Sequence, residues 1–307
     1  MNTKGIKDFL LKGRKKRKDF EEIKNIGDIL KNDFKTIENT SIDQSSNRIS
    51  WGFNDLDAMT LGLHRGSLIV IGGRPTMGKS SFAINLSKNI ARTTKEPICY
   101  FSLEDSKEQI SYKFLSMETG IFPQKIRRGI LEDDERKLIE KGIEEINDLP
   151  LFVCDKGNIK VKQILTKSKK VKEKNGKGKL GLVVVDYIQR MDGPNKKSRA
   201  KELTKIIIEL KEIALELNVP IILLSQLSRD IEKRKHHRPM LCDLRDTNSL
   251  ENIADLVIML YRDNFYNPET LERDLVELIV IKNRFGPLAT TKLLFEPQYT
   301  RYRNIAA

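Results

Sequence analysis

The apolar run Ser67-Leu68-Ile69-Val70-Ile71-Gly72 leads directly into Gly73-Arg74-Pro75-Thr76-Met77-Gly78-Lys79-Ser80, then into Ser81-Phe82-Ala83-Ile84-Asn85-Leu86-Ser87. No other stretch limits the possible folds as much. The first segment reads as a buried strand and the third opens an amphipathic helix. Between them, every fixed position of G-x-x-x-x-G-K-[ST] is filled. Strand, glycine-rich loop and helix in that order make a phosphate cradle. The glycines let backbone N–H groups curl around an anion, and the helix start adds the positive end of its dipole. Lys79 can then reach the β- and γ-phosphates, and the Ser80 hydroxyl can ligate Mg²⁺. The candidate nucleotide-binding residues are Gly73, Arg74, Pro75, Thr76, Met77, Gly78, Lys79, Ser80 and Ser81, and the expected ligand is a nucleoside triphosphate.

From Trp51 onward, apolar runs alternate with helical periodicity, which predicts a mainly parallel sheet flanked by helices. Strands are expected at Leu68–Ile71, Pro97–Leu103, Leu151–Cys154, Leu182–Asp186, Pro220–Ser225, Leu256–Tyr261 and Leu275–Ile281, and helices at 79–93, 106–119, 132–147, 159–174 and 199–217. The end differs: Leu275–Asn283, Phe285-Gly286-Pro287, Thr290–Phe295 and Gln298–Arg303 read as an antiparallel hairpin and extension. Before Trp51, Ile23, Ile26, Leu30 and Phe34 recur at helical spacing, and a polar linker from Asn39 to Asn47 follows. The expected division is a basic segment with a linker helix at 1–47 and an ATPase-type domain at 48–307. The helix's apolar stripe needs a surface to pack on, either a neighbouring subunit, which we prefer, or its own globule.

The 56 Lys and Arg against 43 Asp and Glu leave a net charge of +13. This excess favours a polyanionic partner, nucleic acid before membrane. No run of about 18 apolar residues occurs, so no membrane span is expected. The N-terminus lacks the apolar core of a secretory signal. Cys99, Cys154 and Cys242 form no C-x-x-C pair. With their odd number and no export signal, they fit a reducing cytoplasm. His236 and His237 lack cysteine or carboxylate partners at metal-ligand spacing.

Hydrolysis needs more than a cradle, and three further strands end in residues that suit it. Gly181-Leu182-Val183-Val184-Val185-Asp186 has the Walker B form, an apolar strand that delivers a carboxylate to the edge where ligands bind in parallel sheets. Asp186 is thus the second candidate Mg²⁺ anchor beside Ser80. Pro97 to Glu104 is a strand ending 25 residues after Lys79. Glu104 would emerge at the same edge, either as a general base for water or as a cap of the helix starting near Ser106. Ile221 to Gln226 ends in an amide that can hydrogen-bond a γ-phosphate or the water, and a basic stretch follows it.

Taken together, these strings resemble the DnaB family of hexameric replicative DNA helicases in their RecA-like motor domain. The resemblance rests on Gly52-Phe53-Asn54-Asp55-Leu56-Asp57, the phosphate loop, Phe101-Ser102-Leu103-Glu104 and Val185-Asp186-Tyr187-Ile188-Gln189. It also rests on Leu224 to Arg229, Arg238-Pro239-Met240-Leu241-Cys242-Asp243-Leu244-Arg245 and Lys282-Asn283-Arg284. It spans roughly residues 48 to 303. It implies a RecA-like P-loop fold, ATP and Mg²⁺ as cofactors, single-stranded DNA as ligand, a homohexamer and 5′→3′ unwinding. It also implies a helicase loader and a primase as partners. By the resemblance Glu104 is the catalytic base, Lys79, Ser80 and Asp186 bind phosphate and metal, and Gln226 is the sensor. Lys282 and Arg284 are cations that reach the γ-phosphate of the next subunit. Candidate DNA contacts lie in two pore loops and the basic stretch after Gln226: Arg190, Lys196, Lys197, Arg199, Arg229, Arg245 and Asn248. Two departures stand out. No helical collar domain of the family's size precedes Trp51, and Asn248 replaces a usual Gly. The alternative readings are a regulatory or partner-dependent RecA-like ATPase, and a RecA/RadA-type recombinase.

Overall fold

Strands that are apolar nearly throughout suit burial on both faces, and this chain places them at the centre of one sheet. The computed structural model describes residues 25–27, 30–31, 48–191, 198–244 and 248–305, without the side chains of 248 and 249. The chain divides into two units, Met1–Asn47 and Arg48–Ala307. In the first, residues 26–27 and 30–31 are helical. Ile23 and Phe34 of the stripe expected there, like Lys196, Lys197, Arg245 and the side chain of Asn248, lie outside the described residues.

In chain order the second unit runs β1 (Arg48–Ile49), α1 (Asn54–Thr60), β2 (Leu63–His64), β3 (Leu68–Gly73), α2 (Lys79–Thr94), β4 (Ile98–Ser102), α3 (Lys107–Thr119), α4 (Pro123–Arg128), α5 (Asp133–Asn147) and β5 (Leu151–Cys154). It continues α6 (Val161–Lys174), β6 (Leu182–Asp186), α7 (Arg199–Leu217), β7 (Ile221–Gln226), α8 (Asn248–Ile253), β8 (Leu256–Tyr261), α9 (Asp263–Tyr266), β9 (Leu275–Asn283), β10 (Thr290–Glu296) and β11 (Arg301–Arg303). The large sheet has nine strands in the order β11-β10-β9-β8-β3-β7-β6-β4-β5. The six from β8 to β5 are parallel, and β9, β10 and β11 extend the sheet antiparallel.

Period-two alternation sorts the side chains into two cores. Ile69, Ile71, Tyr100, Val184 and Leu224 face α2 and α3, whereas Leu68, Val70, Phe101, Val185 and Leu223 face α6 and α7. Trp51 and Phe53 pack on Phe82 of α2 from the α1 side, and Trp51 Nε1 donates to Thr60 Oγ1 at 2.8 Å. The helices α1, α4, α8 and α9 and the β1–β2 pair escape the sequence reading, since elements of two to seven residues are too short to show a period. The strand expected over Gln298–Arg303 is shortened to Arg301–Arg303, because Pro297–Tyr299 form a 3₁₀ turn and Thr300 takes φ 52°. All three cysteines are free thiols, with Cys99 buried and its pKa pushed up by burial to about 12.

Candidate nucleotide site

The strand registers bring the chemistry to one edge. Gly73 pairs with Gln226 across β3 and β7, and Ser102 pairs with Asp186 across β4 and β6. All four strands are parallel, so their carboxyl ends, and the Glu104 that follows β4, open onto one cavity of about 460 Å³. Lys79, Ser80, Glu104, Asp186 and Gln226 all line it. Pro75, Thr76, Gly78 and Ser81 complete the phosphate-loop side of the wall.

The loop's shape follows from its sequence. Gly78 takes φ 93° and Thr76 φ 67°, and Gly78 serves as the N-cap of α2 without any side-chain cap bond. The first backbone N–H groups of α2 have no partner four residues earlier and remain available to an anion. Lys79 Nζ donates to the carbonyls of Gly73 (2.8 Å) and Arg74 (3.0 Å). Burial lowers its ammonium to about 8, against the opposing pull of Asp186. Met77 is buried beneath the loop. The Arg74 side chain turns to the far side, where Nε meets Glu232 at 2.8 Å and Nη1 meets the Leu227 carbonyl at 3.1 Å.

Asp186 is buried, and burial raises its carboxyl above the usual range. The hydroxyls of Tyr100 and Ser80 oppose that rise, Tyr100 Oη donating to Asp186 Oδ2 at 2.8 Å. A hydroxyl and a carboxylate side by side are the hard oxygen donors that Mg²⁺ prefers, so this pair fits the metal. Glu104 is more than half exposed. The cap of α3 is instead Ser106, which accepts from Gln109 N in a capping box, so the helix does not occupy the Glu104 carboxylate. Gln226 is held through its backbone, with N donating to Gln189 Oε1 at 3.3 Å and O accepting from Gln189 Nε2 at 3.2 Å.

Lys282 and Arg284 are not part of this cavity. Lys282 lies near the end of β9 and Arg284 just after it; β9 runs antiparallel to β8, and Lys282 pairs with Val257 near the start of β8. That start lies at the opposite end of the parallel strands from the phosphate loop. Lys282 Nζ donates to the carbonyls of Glu251 and Asn252, and burial lowers its pKa. Arg284 contacts Asp255 Oδ1 at 3.1 Å and the Asn252 carbonyl at 2.9 Å.

The DNA-contact candidates separate too. Arg190 lies beside Glu104, and Arg229 is exposed at the start of a 3₁₀ turn. Arg199 holds the carbonyls of Gln189 (2.7 Å) and Met191 (2.9 Å) and pairs with Glu202 (2.6 Å).

Sequence reasoning missed several wall and support residues. Tyr187 lines the cavity, and only its position after Asp186 hints at this. Phe295 and Pro297 reach the cavity from the far end of the chain. Tyr302 stacks on Phe295 at 4.3 Å, and its Oη donates to the Gly78 carbonyl at 3.3 Å. The Asn85 side chain binds the main chain of Thr300 (2.7 Å) and Tyr302 (2.9 Å), tying β11 to α2. No local signal marks these long-range contacts.

Residues 48–304 match the family described as DnaB-like helicase C terminal domain. The chain is similar to a probable replicative DNA helicase of Trieres chinensis, 45% identical over 83% of this chain and 56% of that protein. It is 37% identical to the replicative DNA helicase DnaC of Bacillus subtilis, over 94% of this chain and 64% of that protein. The chain therefore spans somewhat more than half the length of these relatives. Among solved structures, an isolated ATPase domain superposes with a TM-score of 0.86 at 32% identity, covering 93% of this chain and 100% of that one. A DnaB-like replicative helicase, described with its primase interactions, superposes at 0.83 and 33% identity over 93% of this chain and 68% of that one.

Proposed function

The chain belongs to the DnaB-like helicase C-terminal domain family, and on that premise we propose that it is the ATP-hydrolysing motor of a replicative DNA helicase. In this reading it works on single-stranded DNA as a ring of six and moves 5′→3′. One observation carries the proposal. Lys79, Ser80, Glu104, Asp186 and Gln226 converge on one cavity, while Lys282 and Arg284 lie at the other end of the same sheet. A site whose cations stand at the opposite edge is suited to completion by a neighbouring subunit, and a closed ring supplies every site with a neighbour.

The chemistry assigns each side chain one task. The backbone N–H groups at the start of α2 and the Lys79 ammonium hold the β- and γ-phosphates. Ser80 and Asp186 would hold Mg²⁺, which neutralises phosphate charge when bound. Glu104 takes the proton of a water whose oxygen attacks the γ-phosphorus, as the bond from that phosphorus to the β–γ bridging oxygen breaks. Gln226 hydrogen-bonds the γ-phosphate or the water and reports the change through Gln189. Lys282 and Arg284 of the adjacent subunit stabilise the developing charge. Arg190, Lys196, Lys197, Arg229, Arg245 and Asn248 remain the proposed phosphodiester contacts, and Arg199 acts indirectly, through the turn it braces. A primase and a helicase loader are proposed as partners.

The test is steady-state ATPase with and without poly-dT for the wild type and Glu104→Gln, alongside sedimentation of each with nucleotide. DNA-stimulated hydrolysis lost in Glu104→Gln, with a hexamer retained, supports the reading. A monomer, or a rate indifferent to DNA, sinks it.

A further inference from the structure

Glu104, the proposed base, is paired with an arginine that follows the Walker B strand. Arg190 Nη2 lies 3.6 Å from Glu104 Oε1, and each side chain is 55% exposed. Arg190 ends the 3₁₀ turn Ile188–Arg190, which follows the Walker B strand. Its Nε donates to Tyr187 Oη at 3.2 Å, and its guanidinium lies 5.9 Å from the centre of the Tyr187 ring, which lines the cavity.

The turn beneath it is fixed on both sides. Arg199 donates to the carbonyls of Gln189 and Met191, the residues flanking Arg190. The Gln189 side chain is bonded to Ser225 Oγ at 3.0 Å and to the main chain of Gln226. Ile188 and Met191 are buried. The backbone at Arg190 is thus set relative to the sensor strand, while its guanidinium stands in solvent against the carboxylate.

We propose that Arg190 is a positioning residue for Glu104 and couples the base to DNA. Without DNA, the guanidinium holds the carboxylate away from the attacking water. When a DNA phosphate comes within reach, the guanidinium moves to that anion and the carboxylate is released to accept the proton. The proposal rests on Glu104 being the base and single-stranded DNA the ligand. Two physical points favour the exchange. An ion pair between half-exposed groups is weak and screened by salt. A phosphate offers the guanidinium a charge-assisted, two-pronged contact of at least equal quality. The same turn braces Gln226, so an anion at Arg190 acts on both catalytic strand ends.

The experiment compares ATPase rates of wild-type hexamer, Arg190→Leu and Arg190→Lys, with and without poly-dT, with fluorescence anisotropy of labelled oligo-dT. Arg190→Leu is expected to raise the DNA-free kcat about two- to five-fold, the factor an exposed pair of this kind commands. The KM for ATP should stay unchanged and the ratio of stimulated to basal rate should shrink. Arg190→Lys should restore most of that ratio. Raising salt should increase the wild-type basal rate and leave that of Arg190→Leu flat. A basal rate and ratio unchanged in Arg190→Leu overturn the proposal, as does a loss of oligo-dT affinity with no change in basal rate. Glu104→Gln separates the premise from the inference. If that variant still hydrolyses ATP, the assignment of the base fails and the proposal with it. If it is inactive while Arg190→Leu behaves as wild type, only the coupling fails.

Discussion

Tyr100 Oη donates to Asp186 Oδ2 at 2.8 Å between two adjacent parallel strands, and both residues are buried. The hydroxyl serves a carboxylate that burial would otherwise push toward its neutral form. Tyr100 is itself raised well above its ordinary pKa by burial and by Asp186, so the proton stays on the phenol.

Tyr100→Phe removes that donor without changing the ring. A buried acceptor that loses its partner costs about 1–3 kcal/mol. Orienting partners of metal ligands typically carry about 10–100-fold in metal affinity or activity. We expect a lower melting temperature and a Mg²⁺ requirement raised by about tenfold or more. Calorimetry and a Mg²⁺ titration of ATPase check this; an unchanged Mg²⁺ dependence would count against Asp186 as the metal anchor.

Mixing variants tests whether Lys282 and Arg284 act between subunits. Lys79→Ala disables a subunit's own cradle, and Arg284→Ala disables what it lends its neighbour. Each alone should be inactive. In an equal mixture, about a quarter of randomly formed interfaces combine an intact cradle with an intact arginine, since a head-to-tail interface joins two different surfaces. Activity should reappear on mixing. Were Arg284 to act within its own chain, the mixture would stay at the level of its parts. Arg284 also contacts buried Asp255, which keeps Lys211 at 2.7 Å, so the fold should survive.

The lowered pKa of Lys79 makes nucleotide affinity depend on pH in a defined window. Below about 8 the free side chain is protonated, and above it the proton is lost. A bound triphosphate keeps the ammonium charged, so above pH 8 binding takes up a proton. Affinity then falls by up to about tenfold per pH unit. Titration of a fluorescent ATP analogue from about pH 7 to about 9.5 should show a plateau and then this decline. Lys79→Arg, charged throughout, should lack that decline.

Gly78→Ala probes the phosphate loop itself. An added Cβ meets both a φ of 93° and the Tyr302 hydroxyl, whereas at Gly120 φ is 71° and nothing lies nearby. Gly120→Ala therefore measures the backbone cost alone, about 1–2 kcal/mol. Gly78→Ala should exceed it by about 1–3 kcal/mol of overpacking and should weaken nucleotide binding. Equal destabilisation of the two variants in chemical denaturation would show that Tyr302 yields freely.

Whatever depends on neighbours along the chain is legible in the order of the residues. Gly78 and Lys79 follow an apolar strand and open a helix, and that order alone predicts the loop geometry found. Asp186, Glu104 and Gln226 each close or follow a strand in an alternating strand–helix pattern, which sends them to one edge. Which strands lie side by side, and with that the support of the site, was settled only by packing in three dimensions. Tyr100 can hold Asp186 only because β4 lies next to β6, and Phe295 and Tyr302 meet the phosphate loop only because the terminal strands fold back over α2. Packing also turned Arg74 away toward Glu232 and set Lys282 and Arg284 at the far end of the sheet. Periodicity fixes the face a residue presents and its place along an element. Strand order and the direction of β9 arise from contacts between segments far apart in the chain, for which the local pattern carries no signal.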